Sequence, residues 1–202
     1  ITGSMKWDSA RIEDRVLGAE ELGREMGIAR DAPLIVAGST GPGEEELLMR
    51  VCAELEREAG PVQLLCAPRK PERFEEAAGA IGACVRRSGT AKQRGGERGN
   101  GQTGCRRFLL DTIGELRKAY ALADVVVVGR SFGDLYGSDP IEPIALGRAT
   151  VIGPAVSDLA QIVAEVGKAG RAPRAPRAPQ PPRNPPRRGA GRRAPAPDRK
   201  PR

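Results

Sequence analysis

The sequence predicts an α/β protein: a Rossmann-like parallel sheet with helices on both faces. Three observations lead there. From Leu34 onward, short β-type runs alternate with helical runs, the pattern of successive βαβ units. Glycine- or proline-marked turns follow the strands, at Gly38–Gly43, Ala67–Lys70 and Gly129–Ser131. The composition is 39% hydrophobic but only 3% aromatic, which suits one aliphatic α/β core and is poor for stacking bases on aromatic platforms.

Taken in order, residues 1–32 read as a linker with lead-in helices. Ile1 to Asp8 is extended, Ser9 or Asp8 caps a short helix to Leu17, and a second helix spans Ala19 to Met26. ITGSMKWD does not open on Met and reads as the interior of a longer protein. Residues 33–168 read as the Rossmann-like domain. Pro33 opens a strand from Leu34 to Ala37. The helix that follows, Glu44 to Glu58, buries Leu47, Leu48, Val51, Cys52 and Leu55 at helical spacing. Its first turn holds Glu44, Glu45 and Glu46, where negative charge suits the helix dipole.

Pro61 opens the strand Val62 to Cys66, and Glu72 to Ala80 is helical. Cys84 to Arg87 reads as a short strand. Ser88 to Cys105 is rich in Gly, Lys, Arg and Gln and reads as a flexible loop. Phe108 to Leu110 is a strand, and the helix after it ends near Leu122. Val125 to Val128 is a strand, followed by the bend Gly129-Arg130-Ser131 and a mobile loop, Gly133 to Ser138. A short helix then reaches Leu146. Gly147 ends it, Ala149 to Ile152 is the next strand, and Asp158 to Lys168 is the last helix.

Residues 169–202 read as a disordered Arg/Pro-rich tail. Arg171 to Arg202 holds ten Arg, one Lys, one Asp and ten Pro, too little apolar bulk to bury a core. That stretch carries +10 of charge, so residues 1–170 carry −3 of the chain's +7. The basic character belongs to the tail, and no nucleic acid is expected as a partner of the domain. With no histidine, a Ser-His-Asp triad is excluded. Cys52 and Cys66 read as buried thiols, and no metal is expected.

The candidate site residues all stand just beyond strand ends, where such sheets bind ligands. Ser39-Thr40-Gly41-Pro42-Gly43 lacks the G-K-[ST] of a phosphate loop and reads as a tight turn. Three glutamates at the helix start would also repel a phosphate. Arg69 either clamps a phosphate or is a solvated arginine or a partner of Glu72. Gly114-Glu115 opens a helix, either toward a ligand or as a plain first turn. Glu142, held between Pro140 and Pro143, either places a carboxylate where it can accept ribose hydroxyls or is an ordinary helix-start glutamate. Asp139 is placed to cap that helix.

In order, ITGSMKWD, GSTGPGEEELL, LLCAPRKPERF, LLDTIGELRKAYALADVVVVGRSF and GSDPIEPIALGRATVIGP resemble the C-terminal half of bacterial 3-deoxy-D-manno-octulosonic acid (Kdo) transferases. These are GT-B glycosyltransferases of lipid A assembly. The resemblance runs from Ile1 to Gly167 and implies a CMP-Kdo donor and a lipid A precursor as acceptor. It places the whole enzyme at the cytoplasmic face of the inner membrane, without a metal cofactor. It implies that Pro68 and Arg69 contact CMP, with Arg69 on the phosphate. Ile113, Gly114 and Glu115 would meet the nucleotide. Asp139, Pro140, Ile141 and Glu142 would hold the ribose, and Ser131 would lie near the donor phosphate or sugar.

The family's general base, membrane anchor and acceptor site belong to its N-terminal half, so this chain is expected to carry no catalytic residue and to transfer little alone. The family commonly has His at the position of Gly41 and Gly-Gly-Ser at Gly129-Arg130-Ser131. It commonly has Gly-His-Asn-Pro at Gly137-Ser138-Asp139-Pro140. Two other readings stay open: a GT-B enzyme using a UDP-sugar or a nucleotide-sugar epimerase, and a nonenzymatic module whose tail binds nucleic acid.

Overall fold

The computed structural model describes residues 16–92 and 106–157. Six strands form one parallel sheet: β1 (Leu34–Thr40), β2 (Gln63–Pro68), β3 (Val85–Arg86), β4 (Arg107–Leu109), β5 (Val125–Val128) and β6 (Ala149–Ile152). Their spatial order is β3-β4-β2-β1-β5-β6. The helices are α1 (Ala19–Met26), α2 (Glu44–Ala59), α3 (Phe74–Ile81), α4 (Arg87–Lys92), α5 (Leu116–Leu122) and α6 (Ile141–Ala145).

Two cores form because the central strands are apolar on both sides, as strands covered twice must be. On one face, Leu34, Val36, Leu65, Phe108 and Val126 pack under Leu22 and Met26 of α1 and Ala119, Tyr120 and Leu122 of α5. On the other, Ala37, Leu64, Cys66, Leu109 and Val127 pack under Leu48 and Cys52 of α2 and Ala77 and Ile81 of α3. The expected sheet with helices on both faces is the fold observed. α1, which precedes residue 33, contributes Ala19, Leu22 and Met26 to the first core.

The order in the sheet reverses at β1. The chain moves to one side through β2 and to the other through β5. Gly38 near the end of β1 stands opposite Ala67 of β2 and Val128 of β5. The crevice beyond the carboxyl ends of β1 and β5 is therefore the topological switch point, where open α/β sheets bind ligands.

Several local expectations change. β1 runs to Thr40: Ser39 takes a positive φ of 58° and the pairing register shifts there, so the strand continues against Pro68. Ser88 to Lys92 belongs to α4 and is not loop. Asp111 explains the turn, since its carboxylate accepts the Ser88 N–H and Oγ–H and the Arg86 Nε–H. Val16 to Gly18 is a turn in place of a helix end, and Leu17 is exposed. The lead-in helix before residue 16, the last helix 158–168 and the tail 169–202 lie outside the described residues. Cys52 and Cys66 are buried free thiols, and burial pushes both above the ordinary thiol range. No helix of the described residues is long and apolar enough to cross a membrane.

Candidate functional site

The loops after β1 and β5 touch backbone to backbone. A Cβ on Gly129 would stand 2.5 Å from the Ser39 carbonyl oxygen, and one on Gly153 2.1 Å from that of Ser131. Glycine is required at both positions by this approach. Glu44, the first residue of α2, then ties the two loops together. Its carboxylate accepts hydrogen bonds from the backbone N–H of Gly41 (2.8 Å), Arg130 (2.6 Å), Ser131 (2.9 Å) and Phe132 (3.2 Å). Consecutive N–H groups turned to one point form an anion-binding concavity. Here the chain's own carboxylate fills it.

Of the three glutamates that start α2, Glu44 and Glu45 are buried and Glu46 is exposed. Glu45 accepts from Thr40 Oγ1 and from both terminal nitrogens of Arg73. Arg73 Nη1 also donates to the Thr40 carbonyl. From the sequence alone these glutamates only complement the helix dipole. The missed signal was a carboxylate close behind Thr40 and next to a glycine-rich bend.

Pro68 ends β2 in the interior, and Arg69 emerges at the surface. The Arg69 N–H donates to the Thr40 carbonyl, which fixes its backbone against β1. Its guanidinium makes no hydrogen bond or ion pair among the described residues, and Glu72 does not take it. Ile113 is exposed, and Gly114 turns the chain with a φ of 86°. The Glu115 carboxylate is occupied: Arg87 grips it through Nε (2.8 Å) and Nη2 (3.0 Å), and Thr112 Oγ1 donates to it as well. The Arg87 bonds, followed by Thr112, hold its pKa down at about 2. Glu115 therefore offers a ligand its backbone, while its side chain anchors α4 to the start of α5.

Ser131 is fully buried. Its hydroxyl donates to the Val128 carbonyl and accepts the Gly153 N–H. It fastens the β5 bend to the end of β6, and its side chain has no surface to present. Asp139 Oδ1 accepts the Ile141 N–H (2.9 Å), but the N-cap of α6 is Pro140, so Asp139 braces the turn one residue ahead of the cap position expected for it. Pro140 and Ile141 are buried behind it. Glu142 stays 41% exposed, with Arg117 Nη1 3.5 Å from its Oε1.

One further side chain, with no signal in the sequence pattern, feels the charge of several of these residues. Tyr120 of α5 lies over Gly38, its hydroxyl oxygen 1.9 Å from where a Cβ on that glycine would be. Burial pushes its phenol above the ordinary range. The carboxylates of Glu142 and Asp139 push the same way and Arg69 opposes them. Arg69 after β2, Asp139 just ahead of α6 and Glu142 in α6 thus all exert their charge on the Tyr120 hydroxyl over β1. A cation and two carboxylates there can hold a phosphate and a diol separately.

Over 159 residues the chain is 36% identical to a 3-deoxy-D-manno-octulosonic acid transferase of Bordetella pertussis, covering 76% of this chain and 35% of that protein. Over 166 residues it is 30% identical to the transferase of the same name from Haemophilus influenzae, covering 80% of this chain and 36% of that one. The chain is a homologue of the Kdo transferases. It spans about a third of the length of these relatives. Which third is answered by a solved structure, the C-terminal CMP-Kdo binding domain of WaaA from Acinetobacter baumannii. That domain superposes with a TM-score of 0.60 at 27% identity, covering 75% of this Kdo-transferase homologue and 77% of that chain. No family profile matches the chain.

Proposed function

We propose that this chain is the donor-nucleotide domain of a Kdo transferase, binding CMP-Kdo at the carboxyl edge of β1, β2 and β5. The observation that carries the reading is that Arg69, Asp139 and Glu142 all act electrostatically on Tyr120, which lies over Gly38 at the switch point, in a chain homologous to these enzymes. Arg69, held at the strand end with no partner among the described residues, neutralises the donor phosphate. It then stabilises the charge left on CMP as the glycosidic bond breaks. Glu142 accepts the ribose hydroxyls, oriented by Arg117 and by the turn at Pro140 and Ile141 that Asp139 braces. Pro68, Ile113 and the backbone of Gly114 and Glu115 complete the nucleotide's surroundings. Ser131 acts from beneath by shaping the bend.

No metal takes part in this reading, because the guanidinium supplies the positive charge. Transfer to a lipid A precursor at the cytoplasmic face of the inner membrane belongs to the whole enzyme, whose other portion supplies the base that activates the acceptor hydroxyl. The 202-residue chain, titrated calorimetrically, is expected to bind CMP more tightly than UDP, equally with and without EDTA. Glu142→Ala is expected to lose about tenfold or more in CMP affinity, roughly 1.4 kcal/mol. Tighter binding of UDP would sink the Kdo reading in favour of a UDP-sugar enzyme.

A further inference from the structure

We infer that the Tyr120 hydroxyl is a further group of this site, donating a hydrogen bond to an oxygen of the bound nucleoside monophosphate. The inference rests on the donor-nucleotide reading and adds to it a residue that touches the ligand.

Three observations carry it. The first is direction. The chain leaves β4 at the carboxyl edge of the sheet and enters β5 at the amino edge, so α5 runs from the site downward. Helical side chains tilt toward the helix N-terminus, which aims Tyr120 back up at the site. The second is position. The hydroxyl lies over Gly38, whose missing side chain makes the space. The Gly38 carbonyl accepts the Gly129 N–H (2.8 Å), so the phenol ends where the β1 and β5 loops begin.

The third is an unused polar atom. Tyr120 is 2% exposed, yet its hydroxyl forms no hydrogen bond to any described residue. It is not one of the sealed polar atoms either, so the little surface Tyr120 keeps includes its hydroxyl. A buried tyrosine ordinarily finds a partner for this group. The charges of Arg69, Glu142 and Asp139 act on it, and none of the three hydrogen-bonds to it. A neutral phenol among them can donate to a phosphate or sugar oxygen while adding no charge.

Tyr120→Phe keeps the ring and removes only the oxygen. Deleting a buried hydroxyl that has no partner costs little stability, so the ligand-free variant is expected to melt at or above the wild-type temperature. Its CMP affinity is expected to fall about tenfold, near 1.4 kcal/mol, and the rise in melting temperature on adding CMP to shrink. In the wild-type chain labelled at tyrosine Cζ, the Tyr120 resonance is expected to shift with CMP, assigned by its loss in Tyr120→Phe or its survival in Tyr136→Phe. Unchanged CMP affinity in Tyr120→Phe beside a wild-type chain that binds CMP overturns the inference and leaves the donor reading standing. If Tyr120→Phe does not fold, an unmoved Tyr120 resonance in wild type overturns it. A wild-type chain that binds no CMP overturns both.

Discussion

Arg130 shows how one residue sets the conditions of its neighbours. It sits in the bend at a φ of 60°, a left-handed conformation that costs a side-chain-bearing residue about 1–2 kcal/mol. Its N–H is the shortest of the four donated to Glu44, so the strained backbone is held by that carboxylate. Arg130→Gly is expected to raise unfolding stability by about 1 kcal/mol in urea titrations. Glu44 is the opposite case. Glu44→Ala strips four backbone donors of their partner and is expected to cost about 3 kcal/mol or more. Glu44→Gln is expected to rescue only part of this, since one of its two terminal atoms is itself a donor. Loss of stability in neither variant would show that the carboxylate does not hold the bend.

At the scale of elements, the helices around the site are short and are fastened by ion pairs more than by length. Arg87 opens α4 and reaches both Glu115 at the start of α5 and Glu25 of α1. Since the folded state holds Glu115 near pKa 2 against an ordinary 4.5, its contribution to stability is fully present above pH 4.5. It is lost as pH falls from 4.5 toward 2. Arg87→Met is expected to flatten the fall of stability across that window, measured by urea midpoints at successive pH values.

The strands, α1 and the β5–α6–β6 segment were legible in the sequence because apolar runs and Gly/Pro punctuation are local signals. The start of α4 was not. What makes it helical is Asp111, distant in sequence, gripping Ser88, and no periodicity records that. The site divides the same way. Arg69, Asp139 and Glu142 were visible as polar residues at strand ends. The inward turn of Glu44 and the approach of Tyr120 to Gly38 depend on contacts between segments far apart in the chain.

For the whole molecule, the sheet places all the proposed donor contacts on one edge and gives the described residues an independent pair of cores. The relatives are about three times as long as the matched region. The chain alone is therefore expected to bind CMP yet transfer no Kdo in a radiolabel assay. Adding the N-terminal portion of the Bordetella pertussis relative is expected to restore transfer, and robust transfer by the chain alone would contradict the division of labour. The charge distribution leads to a separate expectation. Removing residues 171–202 takes away +10 of charge but no residue of the proposed site, so CMP affinity is expected to stay unchanged in calorimetry.

The carboxylate of Glu44 has a consequence in time. A loop that waits for its ligand before settling takes up that ligand in two phases, a fast encounter and a slower closing. The Arg130–Phe132 bend already has its anion, covalently part of the chain and present at every instant. Stopped-flow mixing with CMP should therefore give one exponential whose rate climbs in proportion to concentration, with no plateau set by the bend.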